Sequence, residues 1–247
     1  MPRGAPGAVV LLSGGMDSAT CLAVAARETR PIDALTVYYG QRHERELRSA
    51  RALARHFGVR RHVVLRLPLA PLLRSNLTDP SKRPPRPGTP GAPPRIPATY
   101  VPARNTILLS IALGYAESFG LGRIYLGVNA VDYSGYPDCR PEFLAAYRKV
   151  ARLATKVGVE AHRPIDVQAP LQNRSKAEIV RLGTRLGVPW GLTWSCYAAG
   201  PRPCGRCDAC RLRANGFRAA GEIDPSVTRG PSASPTKRRR RTSSPSR

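Results

Sequence analysis

The stretch Ala8–Ala26, AVVLLSGGMDSATCLAVAA, decides how this 247-residue chain is read. Ala8–Leu12 is a short apolar run, the kind that fills a strand covered on both faces. From about Asp17 to Arg27 the pattern becomes helical. Between them lies Ser13-Gly14-Gly15-Met16-Asp17-Ser18. Gly14 and Gly15 can take positive φ and let the backbone approach a ligand closely. The free N–H groups at the helix start then face an anion, with the helix dipole in support. Ser13 and Ser18 add hydroxyl donors. Asp17 repels a bare phosphate, so it either holds Mg²⁺ or fixes the loop. G-x-x-x-x-G-K-[ST] and G-x-G-x-x-G are both missing, which excludes the kinase-type phosphate loop and the dinucleotide fingerprint.

Working outward, apolar runs alternate with helical patterns. Ile32–Tyr39, His62–Leu67, Ile124–Val128 and Ile165–Ala169 read as further strands. Helices are expected over Gln41–Phe57, Asn105–Phe119 and Glu142–Lys156. Another opens with the capping box Ser175-Lys176-Ala177-Glu178 and runs to about Leu186. This alternation predicts an α/β fold, a doubly wound and mostly parallel sheet with helices on both faces. In such sheets ligands sit beyond the carboxyl ends of the strands.

The net charge is +24, with 40 basic residues against 16 acidic ones, which raises a nucleic-acid partner. Only five of the basic residues are Lys, so the excess reads as a coding bias toward Arg. Pro225–Arg247 contributes seven of the excess charges and the Pro-rich stretch Asp79–Pro97 contributes three. Both have few apolar residues and are expected to be flexible. The charge is therefore solvated surface or a weak grip on polyanions. Hydrophobic residues make up 42% of the chain and charged residues 23%, which excludes wholesale disorder. No apolar run is long enough to span a bilayer and no cleavable signal pattern is visible, so a cytoplasmic protein is expected.

Cys196, Cys204, Cys207 and Cys210 follow a C-x7-C-x2-C-x2-C spacing. Four thiolates suit one tetrahedral, closed and therefore structural Zn²⁺. Disulfides and an iron–sulfur cluster are the alternatives. Cys21 is expected in the core and Cys139 in a polar loop near the site. The predicted organisation is an α/β core over 1–187 with the insertion at 79–97, a zinc module over 188–224 and a basic tail over 225–247.

S-G-G-x-D-S after the first strand resembles the pyrophosphate loop of the ATP pyrophosphatase superfamily. Members usually cleave ATP between the α and β phosphates and adenylate a substrate oxygen. More specifically, the chain resembles the 7-cyano-7-deazaguanine synthase family of queuosine precursor biosynthesis. SGGMDS at Ser13–Ser18, YYGQRHERE at Tyr38–Glu46 and TYVPARN at Thr99–Asn105 carry the resemblance. GVNAVDYSGYPDCRPEF at Gly127–Phe143, TWSCY at Thr193–Tyr197 and CGRCDACRLR at Cys204–Arg213 extend it. It implies an adenine nucleotide alpha hydrolase-like fold and an ATP-dependent ligase. Its substrates would be 7-carboxy-7-deazaguanine and ammonia and its product the 7-nitrile. A homodimer is implied, and neither membrane nor nucleic acid is required. The Pro-rich insertion and the basic tail depart from the family pattern without touching a motif.

The resemblance implies that Ser13, Gly14, Gly15, Asp17 and Ser18 hold the ATP phosphates. Leu12, Met16, Ala19, Thr20, Cys21 and Leu22 complete that segment. Asp17, His43, Arg104 and Lys176 are the catalytic candidates. Gln41, Arg104, Asn105, Asp132, Tyr133, Ser134, Tyr136, Asp138 and Arg140 are the substrate-binding candidates. They combine carboxylates for a guanine-like edge with aromatic faces for stacking. Alternatives stand beside several of these. Arg104 and Asn105 could start a helix and nothing more, His43 could be a plain helix-start residue, and Asp132–Arg140 could form a self-bonded turn. Lys176 suits a solvated charge as well as a phosphate partner. A tRNA-thiolating enzyme and a zinc-stabilised RNA-binding module are the competing functions.

Overall fold

The computed structural model describes residues 6–39, 44–69, 71–76, 96–97, 99–129, 135–198 and 200–228. Ala8–Leu11 forms β1, and its residues alternate between the two faces of the sheet. Ala8 and Val10 join one core cluster, Val9 and Leu11 the other. Around it run β2 (Ile32–Tyr38), β3 (Arg61–Arg66), β4 (Arg123–Tyr125) and β5 (Asp166–Gln168). The order is β3-β2-β1-β4-β5 and every pairing is parallel. All five strands lie where the alternating pattern puts them.

The first cluster buries α1 (Met16–Glu28), α2 (Arg45–His56), α6 (Lys176–Arg185) and α7 (Asp208–Ala220). The opposite face carries α3 (Arg104–Ser118) and α4 (Pro141–Leu153). The expected helix over Glu142–Lys156 is broken after Leu153. Thr155 donates its hydroxyl to the Ala151 carbonyl at 2.7 Å and accepts the Gly158 N–H at 3.1 Å. That pairing caps a short helix α5, Lys156–Val159, in a new direction. The capping box at Ser175 and Glu178 forms as expected. Pro225–Thr228, assigned to the tail from sequence, forms a helical turn α8. Residues 79–95 and 229–247 lie outside the described residues.

Two polar clusters hold layers together. Asp33 in β2 is fully buried and takes two bonds from Arg60, at 2.8 and 2.9 Å, and one from the Tyr115 hydroxyl at 2.9 Å. Burial pushes the Asp33 carboxyl up, but these partners outweigh it and hold it below its ordinary value. In the C-terminal segment, Arg213 binds Asp224 through Nε at 2.7 Å and Nη2 at 2.9 Å. It also donates to Thr193 Oγ1 and to the Trp190 carbonyl. Trp190 meets Phe217 edge-on at 5.4 Å, and both belong to the core cluster of α1 and α6. Val188, Trp190 and Phe217 thus share the core of the sheet domain, whereas the cysteines form a cluster of their own.

Candidate active site

A cavity of about 630 Å³ opens at the carboxyl ends of β1, β2 and β4. Leu12, Ser13, Gly15, Met16, Asp17 and Ser18 line it. The loop is held by its own hydroxyls. The Ser13 N–H donates to Ser18 Oγ at 3.2 Å, the Gly15 N–H to Ser13 Oγ at 3.3 Å, and the Ser18 hydroxyl to the Gly15 carbonyl at 3.1 Å. Gly14 sits at φ 90, and a Cβ there would lie 2.4 Å from the Glu46 carbonyl oxygen. Only glycine lets α2 approach the loop this closely. Ala19, Thr20, Cys21 and Leu22 have no exposed surface, because α1 carries them away from the cavity into the core. Burial accordingly pushes the Cys21 thiol above its ordinary range.

Asp17 is the electrostatic centre. Its Oδ2 accepts from Lys176 Nζ at 2.6 Å and from Asn129 Nδ2 at 3.3 Å. Its Oδ1 is buried and has no donor among the described residues. Lys176 reaches Asp17 because it begins α6, where Gly216 of α7 packs against its Cβ side. The pair is mostly sheltered, with side-chain exposures of 12% for Lys176 and 23% for Asp17. Lys176 is thus aimed at the loop.

Arg104 opens α3 after Ala103, which takes the left-handed region at φ 51. Its guanidinium lines the cavity and donates to the Tyr39 hydroxyl at 3.4 Å. Burial disfavours the charge, but Tyr39, Cys139 and Asp138 outweigh that effect, so it stays cationic. Asn105 lines the cavity, and its polar atoms are taken up by neighbours, its Oδ1 accepting from Arg104 Nε at 3.3 Å. Its main-chain N–H donates to Asp138 Oδ2 at 2.7 Å and its amide to the Asp138 carbonyl at 3.1 Å. Asp138 is 6% exposed and does not line the cavity. The turn Pro137–Cys139 folds it over the start of α3, where a carboxylate is favoured by the helix dipole. Arg140 is exposed and caps α4, also away from the cavity. Tyr136 does line it and shares a hydrogen bond with Thr99 Oγ1 at 2.8 Å. Gln41, His43, Asp132, Tyr133 and Ser134 lie outside the described residues.

Several lining residues were not singled out from sequence: Tyr39, Glu46, Trp194 and Ser195. Glu46, in the first turn of α2, is half-buried. Burial pushes its carboxyl up to about 7 against the pull of Arg104, and no hydrogen bond from a described residue stabilises its charge. Ser195 Oγ is buried without a partner among the described residues. Glu46 and Trp194 fall inside quoted motif strings, yet neither periodicity nor spacing marks them as functional.

Below the cavity, the sulfurs of Cys196, Cys204, Cys207 and Cys210 all lie within 4.8 Å of one another. Cys196 Sγ accepts the N–H groups of Ala198 and Cys204, each at 3.2 Å, and Cys204 Sγ accepts that of Cys207 at 3.4 Å. Such donors favour thiolates. The Cys210 side chain pulls the Cys207 thiol down by hydrogen bonding. This group could hold a metal ion.

Comparison with known proteins agrees with this arrangement. The family model described as queuosine biosynthesis protein QueC matches residues 7–221. The 7-cyano-7-deazaguanine synthase of Azoarcus sp. (strain BH72) is 56% identical over 222 residues, 89% of this chain and 96% of that protein. The enzyme of the same name from Frankia casuarinae is 54% identical over 89% of this chain and 93% of its own. Among solved structures, NMN synthetase from Francisella tularensis covers 90% of this chain and 80% of its own, at 16% identity and TM-score 0.46. With a loop at the carboxyl end of β1, a cavity above it and four convergent cysteines beside it, the chain belongs to the queuosine biosynthesis protein QueC family.

Proposed function

We propose that this chain is an ATP-dependent ligase that converts 7-carboxy-7-deazaguanine and ammonia to 7-cyano-7-deazaguanine. The observation that carries the reading is the Ser13–Ser18 loop facing a cavity that also holds Arg104 and the Asp17–Lys176 pair. A carboxylate is a poor electrophile, since ammonia cannot displace an oxide. Adenylation turns one carboxylate oxygen into a leaving group, and ammonia then gives the amide. A second activation, at the amide oxygen, permits dehydration to the nitrile. The residues mainly position the reactants and stabilise phosphate charge. The loop N–H groups and Arg104 would hold the ATP phosphates. Lys176 would hold the Asp17 carboxylate in place through its 2.6 Å bond.

The donor-free Asp17 Oδ1 suits a hard cation with oxygen ligands, so Asp17 would hold Mg²⁺, which neutralises phosphate charge when bound. The four cysteines would hold one structural Zn²⁺. With Zn–S bonds of about 2.3 Å, tetrahedral sulfurs lie about 3.8 Å apart, a spacing the cluster can adopt. The resemblance to the family also supports a cytoplasmic homodimer that needs no nucleic acid for turnover. Division into a core over 1–187, a zinc module over 188–224 and a basic tail remains part of this reading. The test is purified protein with ATP, ammonium and 7-carboxy-7-deazaguanine. The nitrile should appear by mass with pyrophosphate released, and no ATP-dependent turnover by zinc-loaded protein rejects the reading. Metal analysis that finds iron in place of zinc rejects the structural-zinc assignment.

A further inference from the structure

The reaction proposed above needs more than a phosphate site. At neutral pH the nitrogen donor arrives mainly as ammonium, which has no lone pair. Forming the amide removes two protons from that nitrogen, and forming the nitrile removes two more. Some group in the cavity has to attract a small cation and accept a proton without binding it too tightly.

Among the described residues, the charged groups that line the cavity are Asp17, Glu46, Arg104, Lys176, Asp208 and Arg213. Asp17 is bound to Lys176 and would be occupied by a cation. Arg104 and Lys176 are cations themselves and repel ammonium. Arg213 is bound to Asp224. Asp208 opens α7 directly after Cys207 and belongs to the cysteine segment. Glu46 stands apart. Its main-chain carbonyl is packed against Gly14, as the 2.4 Å approach to a Cβ placed there shows, so its position relative to the phosphate loop is fixed by backbone. Glu46 lines the cavity that Asp17 and Arg104 also line, and the Arg104 charge acts on its carboxyl.

We propose that Glu46 is a catalytic residue of the ligase: its carboxylate binds the ammonium substrate and accepts the protons released from nitrogen. Ammonium docks on the carboxylate and gives it one proton. The freed lone pair attacks the carbonyl carbon of the acyl adenylate and the C–N bond forms. The C–O bond to phosphate breaks and AMP leaves with the electron pair. Glu46 passes its first proton to water and takes the surplus proton from the new amide nitrogen. The amide step balances, with one proton on water and one on Glu46. Burial, which lifts the Glu46 carboxyl to about 7, fits it to exchange protons near neutral pH.

The inference rests on the activity proposed above, and the experiment separates the two. Wild type, Glu46→Gln and Glu46→Asp are compared for melting, for pyrophosphate release with ATP and 7-carboxy-7-deazaguanine, and for product with either ammonium or hydroxylamine. Hydroxylamine is uncharged at neutral pH, and its adduct sheds a proton readily to water. In Glu46→Gln, ammonium-dependent product should fall by about a hundredfold or more. Pyrophosphate release and hydroxamate formation from hydroxylamine should persist. Glu46→Asp should restore part of the ammonium reaction. Ammonium-dependent product near the wild-type rate in Glu46→Gln overturns the proposal. So does an equal loss with both nucleophiles, which marks a purely structural role. Absence of pyrophosphate release in the wild type instead overturns the activity itself.

Discussion

The main-chain N–H of Trp194 donates to the carbonyl of Gly14 at 2.9 Å, joining the cysteine segment to the phosphate loop. The Trp194 indole is fixed in turn by its own donation to the Cys196 carbonyl at 3.0 Å and by the Arg45 guanidinium over its ring at 4.8 Å. The backbone that carries the first cysteine therefore also braces the loop. With zinc held there as proposed, its removal should loosen this brace. Cys207→Ser should lower the melting temperature and weaken ATP binding about tenfold, the equivalent of one or two lost hydrogen bonds. Calorimetric titration with ATP, alongside zinc content, checks both. Unchanged ATP affinity in zinc-free protein contradicts the coupling.

Gly14→Ala tests the packing of α2 on the loop. The added Cβ would meet the Glu46 carbonyl at 2.4 Å and the Ala50 nitrogen at 2.9 Å, both backbone atoms that cannot rotate away. With φ at 90 the substitution is strained as well. ATP binding should be lost and the protein destabilised by about 1–3 kcal/mol, read from denaturant midpoints.

Lys176→Met leaves Asp17 in place without its 2.6 Å partner. Because both groups are sheltered, the loss should exceed that of an exposed pair. We expect turnover to drop about 10²–10³-fold, with nitrile formation as the readout. Lys176→Arg should not restore it fully, since the planar guanidinium cannot take the place of a compact ammonium held 2.6 Å from Asp17 Oδ2.

The Arg213–Asp224 pair should dominate the stability of the C-terminal segment. Arg213 is 4% exposed and Asp224 9%. Asp224→Asn removes one partner of a buried pair and should destabilise by about 3–5 kcal/mol in urea denaturation at neutral pH. Burial raises the Asp224 carboxyl, but Arg213 and the Ser226 N–H more than offset it, so its folded value lies below the ordinary one. Asp33 behaves likewise. For a depressed carboxyl the stabilisation is complete above the unfolded value, about 3.9, and fades as pH falls through the folded value. The stability gap between wild type and Asp33→Asn should therefore be constant above about pH 5 and shrink below about pH 4. A gap that persists at low pH is inconsistent with this origin.

Much of the fold was legible because the strands are short apolar runs and the helix between each pair has its own period. The capping box at Ser175 was readable because it depends on two residues three apart. The break after Leu153 was not, since Thr155 can cap a new turn or continue a helix with equal ease. In the site, the loop and the cysteines were legible because their chemistry lies in contiguous spacing. Asp138 reads as a substrate carboxylate but holds the N-terminus of α3. Its partner, Asn105, is distant in sequence, and nothing local announces the pairing. Glu46 was missed for the converse reason: one acidic residue in a charged helix looks solvated until the fold places it against Gly14.

By itself the sequence determined the alternation of strands and helices, the phosphate loop and the four-cysteine group, because each is written in residues near one another along the chain. It also reduced the +24 charge from a sign of nucleic-acid binding to an Arg bias, ten units of which fall in 79–97 and 225–247. Only the tertiary structure decided which side chains face the cavity. Lys176 meets Asp17 across 159 positions, and Trp194 reaches Gly14 from the far end of the domain. Such contacts follow from the order β3-β2-β1-β4-β5 and the packing of α6 and α7 over β1, which no local pattern encodes.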